Sequence, residues 1–401
     1  MRNDRVENKT LDALAAAAKS EIGGLRTRVL RRANGALPYD YIVPNGVYEE
    51  LWDWDAFFVG LHLISENASD GIYLKNWCLN FLHYTEPDGQ TPGGIRPWAG
   101  RDARLYHLKP LMGQAAYYAS KALGDFNWIK PVWEKMQSCV TYRERKMSDS
   151  ETGLVKWWDS MESGADNNPA LVRRYHNSVA GTDVNAFQVL DYRAMALVAE
   201  KIGKREDAGA FCDRARRLSK AINAFLWDPD DLTFYSYDAV EKTRLRCITY
   251  SNQVPLWARV ASPEQARMMI ERYVLNPRKL WSLYGIRSLA ADEPLYNNEN
   301  VIKPYSNWQG PIWPHANWMF MHALLHYGYR DAALEAAERV TRLCLDDLSR
   351  NGMMHENYHA ETGAPLAAPD FISWNLLVAQ MIEEARSGVF KPDPGQSLWR
   401  E

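Results

Sequence analysis

Along most of this chain apolar residues recur at the three- and four-residue spacing of a helix, with polar residues in the gaps. From Asn185 to Lys201, Phe187, Leu190, Ala194, Leu197 and Val198 define one apolar face. From Arg330 to Asp346, Ala333, Ala337, Val340 and Cys344 repeat the pattern, with Arg and Glu on the other side. A stretch over 8–33 is rich in strong helix formers. Further helices are predicted near 71–84, 111–124, 128–147, 206–226, 263–275, 317–329 and 372–386, about ten to twelve in all. Alternating strand patterns are few, the best being FYSYD at 234–238 and CITYS at 247–251. The expected fold class is all-α, a toroid of paired helices with its ligand cleft at one mouth and short β-hairpins in the loops. No linker or low-complexity stretch divides the chain, so 1–401 is expected to form a single domain.

Composition narrows the partners. A formal net charge of −3 lacks the basic footprint of a nucleic-acid protein. No apolar run of about 18 residues occurs, so no membrane span is expected. Cys78, Cys139, Cys212, Cys247 and Cys344 stand alone without CxxC spacing, and the segment MRNDRVENKT lacks a secretory h-region. Both suit reduced thiols in the cytoplasm. The nine histidines show no metal-ligand spacing, and P-loop, GxGxxG, HExxH and GxSxG motifs are missing. No metal or cofactor is expected. DPDD at 228–231 lacks the alternation and glycine of a calcium loop and reads as a turn.

Sixteen Trp and 21 Tyr are more than a core of this size needs, and their placement changes the picture. LWDWDAFF (51–58), WWDSMESGADNNP (157–169) and NWQGPIWPHANW (307–318) set tryptophan beside carboxylate or amide, and HENYHAETG (355–363) adds a glutamate among Tyr and His. They fall at helix starts or in Gly/Pro-rich stretches, where sites are usually built. Sugars require this pairing, because their C–H faces stack on rings while their hydroxyls bond to carboxylates and amides. Two carboxylates across such a pocket can break a glycosidic bond.

Asp166, after Gly164 and before Asn167 and Asn168, suits the protonated acid; the same Asp-Asn-Asn-Pro run is also good turn chemistry. Nearby Glu162 would add like charge. Glu356 suits the second carboxylate, whereas Glu361, before Thr-Gly, looks like part of a turn. In WDWD, Trp52 and Trp54 project one way and Asp53 and Asp55 the other if the entrance is extended. Trp54 with Asp55 would present a ring and a bidentate acceptor to one sugar, while an aspartate here would equally cap the following helix.

The chain resembles the clan of (α/α)6-barrel inverting α-glycosidases that contains trehalases and glycoside hydrolase family 63, closest to its short mannosylglycerate- and glucosylglycerate-hydrolysing branch. PNGVYEELWDWDAFF (44–58), KPLMGQ (109–114), ESGADNNP (162–169), YGIRSLAADEPLYNN (284–298), SNWQGPIWPHANW (306–318) and ENYHAETG with FISW (356–374) carry the resemblance, in family order over most of the chain. It implies an (α/α)6 barrel, Asp166 as general acid and Glu356 as general base activating water. An inverting pair is expected about 6.5–9.5 Å apart. It further implies a glycone pocket lined by Trp54, Asp55, Gln114, Trp308, Gln309 and Trp313, and Trp52, Gly164 and Trp374 are expected to bind substrate as well. Tyr41 matches a loop tyrosine that closes over substrate, and Arg173 with Tyr175 are placed to meet a charged aglycone. Ala165 and Asn307 depart from the larger residues of many relatives, which bears on specificity. The expected substrate is a small α-glucoside or α-mannoside such as glucosylglycerate or mannosylglycerate. Two other readings stay open: a sugar isomerase or epimerase on the same toroid, using His355 and His359, and a non-catalytic carbohydrate-binding protein.

Overall fold

The computed structural model describes residues 2–101, 106–301 and 306–399, with side chains from Thr10 onward. Among them are eleven α-helices of seven residues or more. These are α1 (Arg2–Ala17), α2 (Asp53–Glu66), α3 (Gly71–His83), α4 (Met112–Leu123), α5 (Trp133–Val140) and α6 (Thr182–Lys201). They continue with α7 (Arg205–Ala221), α8 (Pro263–Met269), α9 (Pro314–His326), α10 (Arg330–Asn351) and α11 (Val378–Ser387).

The helices alternate between two rings. The inner ring runs α2, α4, α6, the short helix Val254–Trp257, α9, and α11 with the 3-10 turn Ser373–Leu377 before it; this last element packs back on α2 and closes the circle. The helices α1, α3, α5, α7, α8 and α10 form the outer layer. Twelve alternating elements make an (α/α)6 barrel.

Side-chain pattern sorts the rings. In α2 every residue from Asp53 to Ile64 is buried, and in α9 every residue from Pro314 to Leu324. A helix covered on all sides cannot lie on the surface. By contrast α7 buries Ala208, Phe211, Ala215 and Leu218, one stripe at helical spacing. Each fully buried Leu, Ile or Phe stabilises the fold by roughly 1.5–3 kcal/mol. Local signals set the ends. Ser262 and Gln265 form a capping box at α8 with Pro263 in its first turn, and Gly352, at φ 70°, stops α10 in the left-handed conformation.

Three segments differ from the pattern-based expectation. The helix expected over 8–33 is α only to Ala17; a wide turn (Ala18–Ile22) and a 3-10 turn (Gly23–Val29) follow, because the Gly23–Gly24 pair forfeits helix propensity. The helix expected over 128–147 is broken into a 3-10 turn holding Pro131, then α5, then Tyr142–Lys146. CITYS is no strand: Thr249 and Asn252 form a capping box on the 3-10 turn Tyr250–Gln253. FYSYD contributes two-residue strands, Thr233–Phe234 and Tyr237–Asp238, to separate small antiparallel sheets. DPDD closes as a turn, with Asp228 Oδ1 accepting from the amides of Asp230 and Asp231, both at 3.0 Å.

Because each outer helix returns the chain, the inner helices run the same way and their N-terminal ends meet at one mouth. The small sheet of Leu51–Trp52, Gly94–Arg96 and Gly100–Arg101 leads straight into α2 there. No helix among the described residues is long and apolar enough to cross a membrane.

Candidate active site

At that mouth a cavity of about 770 Å³ opens, within the range of roughly 300–1,000 Å³ usual for small-molecule sites. Its wall brings together Asp166, Glu356, Asp55, Trp52, Trp54, Trp374 and Gly164, seven expected residues from segments over three hundred positions apart.

The first turn of α2 divides its two aspartates between structure and site. Asp53 Oδ1 accepts from the Trp54 amide at 2.7 Å and from Lys109 Nζ at 3.0 Å, while its Oδ2 accepts from the Lys109 amide at 3.0 Å. It ties α2 to the segment entering α4. Asp55 faces the cavity, and its Oδ1 accepts from Ser373 Oγ at 3.0 Å at the start of the sixth inner element. Burial pushes its carboxyl up to about 7, against the opposing pull of Ser373 and Lys109.

Asp166 sits in the loop between the short helix Ser160–Ser163 and α6, where its Oδ2 accepts from the Ser306 amide at 3.0 Å and Ser306 Oγ at 3.1 Å. The turn chemistry of this run belongs to its neighbours. Asn167 accepts from the Trp308 amide at 2.6 Å, and Asn168 donates to Ser251 Oγ at 2.9 Å. Gly164, at φ 79°, lets the loop approach Trp54, since a Cβ there would lie 2.6 Å from Trp54 Cζ2. Glu162 does not add free charge. Its carboxylate pairs with Arg143 at 3.0 Å, both side chains 1% exposed, and accepts from the amides of His107 and Trp158.

Glu356 is held by its own loop. Tyr358 exchanges backbone hydrogen bonds with Ile312 at 3.0 and 2.7 Å, and its hydroxyl donates to Asp347 in α10 at 3.0 Å. Burial first, then Asp55 and Asp166, push the Glu356 carboxyl well above the usual range, and its buried Oε2 has no hydrogen-bond partner among the described residues. Glu361, as the sequence suggested, is in the adjoining turn and pairs with Arg287 at 2.8 Å.

The aromatic wall has two layers. Trp54 lies 5.6 Å from Trp374 at 74° and 5.7 Å from Trp308. Behind it Trp308 stacks on Trp313, centroids 4.0 Å apart and planes within 11°. Trp308 and Trp313 are therefore supports rather than cavity wall, each 1% exposed. Gln309 also acts from behind, donating to the Asn167 carbonyl at 2.8 Å. Gln114 is buried in the first turn of α4 and donates to the Pro110 carbonyl at 2.8 Å. Tyr41 is buried in a two-residue strand paired with Leu30–Arg31. Arg173 and Tyr175 lie exposed outside the cavity wall. The structure does not bring these seven to the cavity surface, nor His355, whose Nδ1 meets Asp347 at 2.9 Å, nor His359.

Tyr48, Tyr106, Lys109 and Ser306 line the wall as well, and no sequence pattern had marked them as site residues. Tyr48, Lys109 and Ser306 lie within segments that carried the family resemblance, so the signal was present in the motif but pinned to neighbouring residues. Burial first, and then Glu356, Asp55 and Asp166, push up the hydroxyl of Tyr48, which shares the cavity wall with all three carboxylates. Lys109 Nζ, besides its pairing with Asp53, lies 5.0 Å over the Trp54 ring.

A family model for the mannosylglycerate hydrolase MGH1-like glycoside hydrolase domain matches residues 48–374, a span holding every wall residue except Val47. The chain belongs to this family. The MGH1-like domain is similar to the mannosylglycerate hydrolase of Rubrobacter radiotolerans, 30% identical over 193 residues, or 48% of this chain and 41% of that one. The match thus spans less than half the length of that curated relative. In fold it is similar to the GH63 mannosylglycerate hydrolase of Thermus thermophilus in complex with glucose. The TM-score is 0.72 at 20% identity, covering 90% of this chain and 99% of that one. It is also similar to neutral trehalase Nth1 of Saccharomyces cerevisiae, with a TM-score of 0.64 at 16% identity, covering 90% and 77%.

The buried charges are testable in two places. Removing one partner of the Arg143–Glu162 pair strands a buried charge, so Arg143→Met is expected to lose about 3–5 kcal/mol in urea unfolding. The double variant Arg143→Met/Glu162→Gln is expected to recover most of it; no recovery would mean that packing of Arg143 on Trp157, 4.9 Å away, dominates.

Glu356 binds its proton more tightly folded than unfolded. The protonated form therefore contributes stability that is full below the unfolded pKa and is lost as pH rises through the folded one. Glu356→Gln, which cannot ionise, is expected to melt above the parent by a margin that grows as pH rises above the ordinary glutamate range, at up to about 1.4 kcal/mol per pH unit. A margin that is flat with pH in calorimetry contradicts the assigned cause.

Proposed function

We propose that this MGH1-like domain is an inverting, exo-acting α-glycosidase, with 1–401 as one catalytic domain working in the cytoplasm. The observation that carries the reading is the convergence of Asp166 and Glu356 on one cavity walled by Trp52, Trp54 and Trp374. Asp166 gives its proton to the glycosidic oxygen as the C1–O bond breaks. Glu356 takes a proton from a water whose oxygen bonds to C1 from the opposite face, so the anomeric centre inverts. A base whose pKa is raised accepts that proton more readily. Trp54 supplies the ring face for the glycone, while Asp55 and Lys109 offer an acceptor and a donor to its hydroxyls.

The names of the relatives support mannosylglycerate as substrate, with glucosylglycerate as the alternative. Neither His355 nor His359 belongs to the cavity wall, which removes the support for isomerase chemistry. Both carboxylates are in place, which favours an enzyme over a carbohydrate-binding protein.

Hydrolysis of mannosylglycerate, glucosylglycerate, trehalose, kojibiose and nigerose, followed by NMR of the first-formed anomer, tests the reaction. Early β-anomer from one α-linked substrate is expected, and early α-anomer would overturn the role of Glu356. Asp166→Ala and Glu356→Ala are each expected to lower turnover by about 10²–10⁴ in a folded protein. On an aryl glycoside with a good leaving group, Asp166→Ala should regain activity and Glu356→Ala should not; the opposite result exchanges their roles.

A further inference from the structure

A second cavity, of about 240 Å³, lies where the inner helices end rather than begin. Its aromatic wall is Trp257, Phe390 and Trp399, and its polar groups are Arg259, Arg330, His322, His326 and Gln396. Among the described residues no carboxylate lines it. It is separated from the catalytic mouth by the length of α9: His315 packs on Trp54 and Trp374 at one end, and His326 lies eleven residues on, about 16 Å along the axis.

Helix C-termini attract cations, so part of this positive charge has an ordinary cause. Arg330 donates to the Arg386 carbonyl at the end of α11, at 2.9 Å, and Arg193 to the Ala258 carbonyl at 2.9 Å. Arg259 follows Ala258, the C-cap of the short helix Val254–Trp257, but its guanidinium is engaged elsewhere. Its guanidinium lies 4.9 Å over the Trp399 ring and donates to the neutral amide of Gln396. Among the described residues no carboxylate pairs with half-buried Arg259 or exposed Arg330, whereas Arg143, Arg287 and Arg339 pair with Glu162, Glu361 and Glu335. Of the buried carboxylates nearby, Glu384 is taken by Trp318 at 2.7 Å and His322 at 3.1 Å, and Asp393 by Lys121.

We propose that this cavity binds a small oxyanion, the phosphate group of inorganic phosphate or of a phosphate monoester, between Arg259 and Arg330. Planar guanidinium groups match phosphate oxygens bidentately, and a part-buried site screens the attraction less than open surface does. Electrostatics agree with the geometry. Burial and the Arg193 charge lower Arg259 to about 10, and burial and Arg259 lower His326 to about 4. Both fit positive charge that no carboxylate among the described wall residues offsets.

The test is titration of the full chain with inorganic phosphate at constant ionic strength, followed by calorimetry and by the ring resonances of His326. Saturable binding with a Kd of about 1 mM or tighter is expected, together with a rise in the His326 pKa. Arg330→Gln, on an exposed side chain, and Arg259→Gln should each weaken binding at least about tenfold while leaving glycoside hydrolysis unchanged. Glycerol 2-phosphate separates the sources: tighter binding than phosphate assigns a monoester, equal binding the phosphate group alone. Absence of saturation, or binding that survives Arg330→Gln and leaves His326 unmoved, overturns the proposal.

Discussion

Asp55, Asp166 and Glu356 face one cavity, and Lys109, the ammonium in its wall, is already paired with Asp53. Like charges gathered out of water cannot all ionise, and most of the site is arranged around that constraint. Glu162, which would have been another negative charge, is neutralised by Arg143 and spends its remaining capacity on the amides of His107 and Trp158. Asp53 is spent on Lys109. Asp55 begins a helix, where the unpaired amides and the dipole favour a carboxylate. What is left is one deeply buried carboxyl, Glu356, that carries the electrostatic burden of the cluster.

The barrel makes that arrangement rigid. Six inner helices running one way deliver their first turns and the loops before them to the same mouth, so residues far apart in sequence meet without long excursions. The aromatic second layer then fixes the wall. Trp308 stacks on Trp313, both pack against His315, and His315 in turn touches Trp54 and Trp374. Planar groups in contact on several sides leave no neighbouring rotamer to occupy, and a sugar-stacking ring needs that fixity.

Much of this was legible in the chain, for identifiable reasons. The outer helices show themselves by one apolar stripe, as in Arg205–Ala221 and Arg330–Asn351; the interruption at Gly23 and the break at Pro131 are local and were missed because the surrounding propensity is strong. Asp55, Asp166, Glu356, Trp54 and Trp374 reach the cavity as their motifs implied. Trp308, Trp313, Gln309 and Gln114 do not, because tryptophan beside an amide serves a packed second layer as well as a sugar. Spacing cannot tell the two layers apart. Lys109 and Ser306 each open a motif segment but were not singled out within it: each acts through a partner 56 or 140 residues away, Asp53 and Asp166, and neither a lysine before proline nor a serine before asparagine marks a role locally.

If Glu356 is the base, its burial acts on the catalytic cycle in two opposing directions. Desolvation and the charges of Asp55 and Asp166 raise its proton affinity, which strengthens it as an acceptor from water in the bond-breaking step. The same affinity retains the proton afterwards, and an inverting enzyme must return Glu356 to its ionised form, and Asp166 to its acid form, before the next turnover. Asp55, at about 7 and among the groups that raise Glu356, can relieve the conflict by sharing the load: when it holds a proton, Glu356 ionises more easily. The cluster then titrates as a unit, and Asp55, which binds substrate in this reading, also sets how readily the base is renewed.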